Sequence, residues 1–463
     1  MTTTSPAAHV PRRTVVGYAA GSVGTGGFGT LPGLVLAYYL TDTLGVAAGL
    51  ASLVVTVPKL WDVVIDPFVG ARSDASAARH GSRRRYLLAG ALTLPPLFAA
   101  VFAAPAALAG VPAAAWVVVW FVAAATAFSL FQVPYIALPA EIASTSAERT
   151  RLLAPRIAVL AVAILAFGAG GPLVRDAAGG GRTGYLVMGV VCGAVLGLGM
   201  LGAWWGAPRR AAVTPPADGP PVAPRPRVRG DALRLGVAAL REIPAFRWLL
   251  ATFVLQALAT GAMLACAPYV ATYVLGDEGA VTVLFVALVA PALLVMPFAT
   301  RVGRRLGKRG GYVAASGLFV AVTLALVPMR WAPGPWVYAL VALAGVAYAG
   351  MQLFPLAMLP DVAAVDARER GTDRAGVLGG VWTAAETAGL ALGPTLVLAA
   401  LALTGFVSRE GGALADQPAA AVTGIALAFS LLPAVLTAVS VATLTRYRLT
   451  EAVVDAPATG VAA

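Results

Sequence analysis

Asp62 and Asp66 stand one helical turn apart in a stretch otherwise composed like a membrane span, Pro58-Lys-Leu-Trp-Asp-Val-Val-Ile-Asp-Pro67. A carboxylate at bilayer depth costs on the order of 3 kcal/mol, so such groups face a polar cavity and act there. The i, i+4 spacing puts both acids on one helix face, where two anions repel unless a cation sits between them. Lys59 extends the stripe to i, i+3 and i+7. Pro67 donates no backbone hydrogen bond, which frees the Val63 carbonyl beside the carboxylates. Carboxylate and carbonyl oxygens suit a hard monovalent cation such as sodium, or a proton. The competing structural reading has Lys59 neutralise Asp62 while Asp66 bonds a neighbouring helix. Ion binding in the service of transport is the chemistry these residues imply.

Glu386 is a further acid inside an apolar stretch, with no basic residue within a helical turn. It reads either as a protonatable carboxyl or as the partner of a group on another helix. Thr387 follows it. Thr25, Gln132 and Arg156 are the candidates for solute contact, although an arginine at a helix end also snorkels to headgroups. Gly24-Thr-Gly26-Gly-Phe-Gly29 matches a dinucleotide pattern on paper, but no strand precedes it. The pairs Gly17 and Gly21, and Gly29 and Gly33, are expected to let neighbouring helices approach closely. Cys192 and Cys266 fall in apolar segments and are expected as free thiols. His9 and His80 are far apart and give no zinc spacing. There is no Walker-type phosphate loop, which disfavours primary pumping, and no cofactor or enzyme activity is expected.

The elements that must position these residues are membrane helices. The 463 residues are 59% hydrophobic and 12% charged, about half the charge of a soluble chain. Twelve or so apolar stretches of spanning length predict an all-α polytopic protein. The first six are Val15–Leu40, Val46–Ala71, Tyr86–Leu108, Ala113–Leu138, Ile157–Val174 and Tyr185–Trp205. The second six are Trp248–Leu275, Val281–Thr300, Tyr312–Met329, Trp336–Leu359, Gly376–Thr404 and Ala421–Leu444. The net charge of +12 does not point to nucleic acid, because the basic residues cluster in alternate short links. Arg12 and Arg13, Arg83 to Arg85, Arg149 and Arg151, and Arg446 and Arg448 all fall on one side, so both termini are expected in the cytoplasm. A signal-anchor first helix fits better than a twin-arginine export signal. The expected organisation is a six-helix half over residues 1–206, a basic linker over 207–246 and a second half over 247–463. Pro- and Ala-rich tether sequence opens that linker, and Asp231 to Arg241 is expected to form a short amphipathic helix.

At this point the chain resembles a known family, the glycoside–pentoside–hexuronide:cation symporters of the major facilitator superfamily, in which the melibiose permease is the familiar member. The resemblance rests on Ala37-Tyr-Tyr-Leu-Thr-Asp42, Lys59-Leu-Trp-Asp-Val-Val-Ile-Asp-Pro67, Val133-Pro-Tyr-Ile-Ala-Leu-Pro-Ala-Glu141, Glu148-Arg-Thr-Arg151, Met358-Leu-Pro-Asp361 and Gly389-Leu-Ala-Leu-Gly-Pro394. It implies a major facilitator fold, cation-coupled symport of a small glycoside-type solute by alternating access, a cation at Asp62 and Asp66, and Arg156 in the sugar cavity. The loop Gly70 to Arg85 resembles the superfamily's coupling loop, which implies a gating role for Asp74. The family's melibiose carriers have acids where this chain has Gly26 and Gln132, and a lysine where it has Thr387. Those departures imply a less polar cavity, and leave a proton-coupled exporter or carrier of apolar or amphiphilic compounds as the alternative. The implied partners are a small solute, the coupling cation and the bilayer, with no nucleic acid; the expected state is a plasma-membrane monomer.

Overall fold

The computed structural model describes residues 10–142, 146–209, 229–370, 374–409 and 416–449. Among these the chain is built of helices with no strand element. In chain order they are α1 (Arg12–Ala20), α2 (Ser22–Tyr38), α3 (Ala48–His80), α4 (Arg84–Val101), α5 (Gly110–Ile142), α6 (Ser146–Ala177), α7 (Gly181–Gly206) and α8 (Arg229–Glu242). The series continues with α9 (Pro244–Tyr273), α10 (Ala280–Ala325), α11 (Trp336–Arg370), α12 (Ala375–Leu403), α13 (Ala419–Phe429) and α14 (Leu431–Leu444). With no water in the hydrocarbon core, each span must satisfy its backbone polar groups internally, which is why helices carry all of it.

Among the described residues nine helices are long and apolar enough to cross a membrane. The expected first, third and eighth spans are present as helix but fall outside that set: α1 with α2, α4, and the first part of α10. Two local features interrupt the regular helices. Gly307 has φ +71° and divides α10 into two helices, a conformation that only glycine enters without strain. Just beyond α2, Tyr39–Thr43 forms a single π turn that carries a buried Asp42. Such turns inside membrane helices often mark functional positions.

The chain forms two compact units: Met1–Pro221 with Ser408–Leu414, and Val222–Val407 with Ala415–Ala463. Glycine sets the closest helix approaches within each. A Cβ at Gly17 would lie 2.7 Å from the Gly202 carbonyl oxygen, and one at Gly21 2.8 Å from the Ala203 Cβ. The packing expectation therefore holds for this first pair. It fails for Gly29 and Gly33, where an added Cβ would meet nothing within 4 Å. Gly24, Gly26 and Gly27 make the close contacts of α2 instead, because that is the face turned to α6 and α7. In the second unit a Cβ at Gly261 would lie 2.5 Å from the Leu390 carbonyl oxygen, so α9 and α12 cross backbone to backbone.

The opening of the expected linker, residues 210–228, lies outside the described residues. Asp231 to Arg241 lies within α8, which is fastened to the second unit by an ionic cluster. Asp366 is buried and holds Arg370 at 3.1 Å and Arg374 at 2.7 Å; Glu242 holds both arginines at 2.8 Å. Hydrogen bonds that Arg374 donates to Asp366 and Glu242 keep its guanidinium protonated well above its already high ordinary value.

Candidate functional site

In the first unit a polar stripe on α5 organises the site. Thr126, Ser129, Gln132 and Tyr135 recur at three-residue intervals in an otherwise apolar helix, and each has a partner on a different turn of a neighbour. Trp61 Nε1 donates to Thr126 Oγ1 at 2.8 Å, and Ser129 hydrogen-bonds Asp66. Thr25 Oγ1 donates to Gln132 Oε1 at 2.7 Å. The Tyr135 hydroxyl donates to the Tyr18 carbonyl at 2.6 Å and therefore accepts from Ser22 Oγ at 3.0 Å. The sequence reading missed Ser22, Ser129 and Tyr135.

Asp62 and Asp66 sit on the α3 face toward this stripe, both half-buried. Lys59 Nζ lies 3.8 Å from Asp62 Oδ2, a loose pair beside Arg175–Asp176 and Lys308–Asp361 at 2.6 Å and Arg409–Asp42 at 2.8 Å. The same ammonium stands 6.0 Å from the Phe28 ring. Asp62 Oδ1 is buried and has no hydrogen-bond partner among the described residues. A buried anionic oxygen without a donor is costly, so this geometry favours a cation or proton at that atom.

Arg156 does not snorkel. Its guanidinium stands 5.5 Å from the Tyr135 ring centre and 5.9 Å from that of Tyr18, and the two rings are themselves 4.7 Å apart. It hydrogen-bonds the Tyr135 hydroxyl, while its Nε is buried without a partner. The arrangement is a cation on an aromatic platform with one N–H direction unspent, suited to an acceptor oxygen on a solute. Gly26 lies on the adjacent turn of α2. A Cβ there would come within 2.9 Å of the Ala163 Cβ and 3.2 Å of the Leu160 carbonyl oxygen. The missing side chain is thus a packing requirement of α2 on α6.

The structure also joins Asp42 to Arg409, two residues far apart in the sequence. Arg409 Nε meets Asp42 Oδ1 at 2.8 Å, its Nη2 donates to the Tyr38 hydroxyl at 2.7 Å, and its backbone N–H donates to the Thr41 carbonyl. Both charged side chains are nearly fully buried. The segment carrying Arg409 is thereby part of the first unit.

In the second unit Glu386 lines a small cavity with Tyr348 and Gln352 of α11 and Gln256 of α9. Thr387 does not join it: the residue is exposed and its hydroxyl donates to the Thr383 carbonyl of its own helix. Asp74 lies on α3, and its side chain is outside the described residues. Cys192 and Cys266 are free and buried.

With that geometry in place, comparison with known proteins fixes the family. The profile of the MFS/sugar transport proteins matches residues 17–451, nearly the whole chain. The chain belongs to that family. It is a multi-pass membrane transporter of the major facilitator superfamily and not an enzyme. The protein is 30% identical over 185 residues to the putative glycoside/cation symporter YagG of Escherichia coli strain K12, covering 40% of this chain and 39% of that one. It is 31% identical over 150 residues to the uncharacterized symporter sll1374 of Synechocystis, covering 31% of this chain and 28% of that one. The matched stretches thus span well under half the length of these relatives. A bacterial homologue of the human lysosomal transporter Spinster, solved inward-facing and unoccupied, superposes with a TM-score of 0.67 at 14% identity, covering 94% of this chain and 95% of that one. At that identity the likeness is one of fold. The resemblance to glycoside–cation symporters seen in the sequence is borne out by the family and by its relatives' names.

Proposed function

We propose that this transporter couples inward movement of a monovalent cation, sodium or proton, to uptake of a small glycoside-type solute across the plasma membrane by alternating access. The observation that carries the reading is the buried, unpartnered Oδ1 of Asp62. It shares a helix face with Asp66, and one loosely held lysine is the basic group recorded against the two. Two acids sharing one distant ammonium leave about one negative charge to be matched, and a monovalent cation matches it. Ser129 orients Asp66, and Lys59 is placed to take over Asp62 when the cation leaves. The name of the YagG relative supports both the cation and the glycoside.

Arg156, with Tyr18 and Tyr135, is the anchor for a solute oxygen, and the Thr25–Gln132 pair supplies neutral hydrogen bonding beside it. Because Gly26 packs α2 onto α6, no acid stands there to grip sugar hydroxyls. Aromatic faces and few charges favour a glycoside with an apolar portion, such as an aryl glycoside, over a bare disaccharide. The same observation supports the second reading, a proton-coupled carrier of amphiphiles.

Uptake into proteoliposomes separates these. Under imposed sodium or proton gradients, a panel of disaccharides, aryl glycosides and lysolipids is offered. Accumulation of an aryl glycoside under one gradient, at least about tenfold reduced in Arg156→Lys, is the expected result; lysine keeps the charge but loses the planar stack on the two rings. Stereospecific accumulation of one unsubstituted disaccharide alone would restore a plain sugar carrier, and lysolipid movement alone would favour the second reading.

A further inference from the structure

The second unit holds an acid that the cation site above does not use. Glu386 lies on α12 in a cavity of about 10 Å³, room for roughly one water molecule and far too little for a sugar. The hydrogen bonds of its neighbours leave acceptors of the cavity lining without donors. Gln256 is 2% exposed, and its Nε2 donates at 2.9 Å to both Ser316 Oγ and Ser440 Oγ. Each of those hydroxyls spends its own hydrogen on a carbonyl, of Tyr312 and of Thr437, so each must accept from Gln256. The amide orientation follows, and Gln256 Oε1 is left buried on the cavity wall without a donor. The Thr260 hydroxyl, also on the wall, likewise spends its hydrogen on the Gln256 carbonyl. Opposite, Gln352 Nε2 donates at 2.8 Å to the Tyr348 hydroxyl, and Gln352 also hydrogen-bonds the Glu386 carboxyl. One hydrogen, that of Tyr348, remains to serve Gln256 Oε1, Thr260 Oγ1 and the carboxylate. The cavity is short of donors.

Among the described residues, no cationic side chain lines the cavity to make up the shortfall. From α9 the cavity receives Gln256, Ala257 and Thr260, all uncharged; from α11 it receives Tyr348, Met351 and Gln352, of which Tyr348 alone titrates. At the N-terminal end of α12, Glu242 of α8 is engaged with Arg370 and Arg374. One end of the cavity is walled by the Gly261–Leu390 crossing, where the backbones leave no gap for a side chain.

We propose that Glu386 is a proton-binding site of the second unit, separate from Asp62 and Asp66, with Gln352, Tyr348 and Gln256 as its positioning residues. A proton taken from solvent converts the carboxylate to a carboxyl, which becomes a donor and meets the shortfall without a counter-ion. One water in the remaining space bridges the acid to Gln256 Oε1. Transport in this protein then responds to protonation of the second unit, whichever cation Asp62 and Asp66 carry.

The test uses the purified full-length chain in nanodiscs, no solute, and difference infrared spectroscopy across a pH titration at fixed sodium. The wild type should show a carboxylic C=O band on acidification, and Glu386→Gln should lose one component of it. Tyr348→Phe keeps the acid but removes a donor to its anionic form, so its band should titrate higher by about one pH unit. An Asp62→Asn, Asp66→Asn double variant should retain the Glu386 component, so this result stands or falls apart from the coupling reading tested by uptake. Identical spectra for wild type and Glu386→Gln would overturn the proposal, with an unshifted Tyr348→Phe titration counting against it if the glutamine variant fails to fold. Displacement of the band by sodium at constant pH in the double variant would overturn it in favour of a sodium site.

Discussion

The two units hold their acids in opposite ways. In the first, Asp62 and Asp66 share a helix face with Lys59, and the nearby α5 stripe offers hydroxyls and an amide. In the second, no basic residue lines the Glu386 cavity among the described residues, and the acid sits among two glutamines and a tyrosine in a space for one water. A pair of acids with a movable ammonium can exchange one cation for another at little electrostatic cost, because the lysine replaces the departing ion. A lone carboxyl without a counter-ion is stable in low dielectric only when neutral. On the two proposals above, the halves of one fold are specialised: the first for a charge that comes and goes, the second for a proton.

The largest expected effect breaks the first side of that comparison. Asp66→Asn and Asp62→Asn should each reduce gradient-driven accumulation in proteoliposomes to the level of empty vesicles, while insertion and thermal stability stay near wild type. Asparagine keeps the shape and the hydrogen bond to Ser129 but removes the charge that a cation needs. Accumulation at wild-type level by Asp66→Asn would show that the pair is structural, as the Lys59–Asp62 contact alone would have it.

Next in size is a stability effect within the first unit. Asp42 and Arg409 are almost wholly buried and bound at 2.8 Å. Removing one partner strands the other, at a cost of about 3–5 kcal/mol. Asp42→Asn and Arg409→Met should each lower the unfolding midpoint in detergent sharply, and the double variant should be less destabilised than the sum of the two. Additive losses would mean the two side chains act independently.

Gly26→Asp restores the acid found in the family's melibiose carriers and tests whether the neutral cavity is a choice of chemistry or of packing. The new Cβ meets the Ala163 Cβ at 2.9 Å, and neither helix has a flexible side chain there to move aside. Overpacking of this kind costs about 1–3 kcal/mol. The variant should be less stable and gain no melibiose binding, measured by calorimetry. Gly26→Asp with intact stability and new sugar affinity would show that α2 and α6 yield more easily than their contact implies.

These residues also mark how far the sequence could be read. Asp62, Asp66 and Glu386 were legible because an acid in an apolar helix is a compositional outlier whatever surrounds it. The spans were legible for the same reason, and the break inside the first was not, since it falls at the single residue Gly21. Ser22, Ser129 and Tyr135 stayed hidden because hydroxyls in membrane helices are commonly satisfied by their own backbone, as Thr126 is by Val122. Nothing local could pair Asp42 with Arg409, 367 residues away. The glycines failed differently. The spacing of Gly29 and Gly33 equals that of Gly17 and Gly21, but which face of a helix meets a neighbour is decided by tertiary packing, and α2 presents Gly26 and Gly27 instead.

The smallest effect sharpens the second side of the comparison. Thr387 stands where the melibiose carriers have a lysine, directly after Glu386, and adjacent residues on a helix point about 100° apart. Thr387 is exposed and its hydroxyl is tied to the Thr383 carbonyl, whereas Glu386 faces the cavity. A lysine at 387 therefore extends away from the carboxyl and contacts none of Tyr348, Gln352 or Gln256. Thr387→Lys should change stability by less than about 0.5 kcal/mol and leave the Glu386 infrared titration where it is. If the lysine instead drew the carboxyl into an ion pair, the C=O band would vanish across the whole pH range. The second unit would then be one substitution away from the charged pairing of the first, and the contrast between a cation site and a proton site would rest on Thr387 rather than on the cavity.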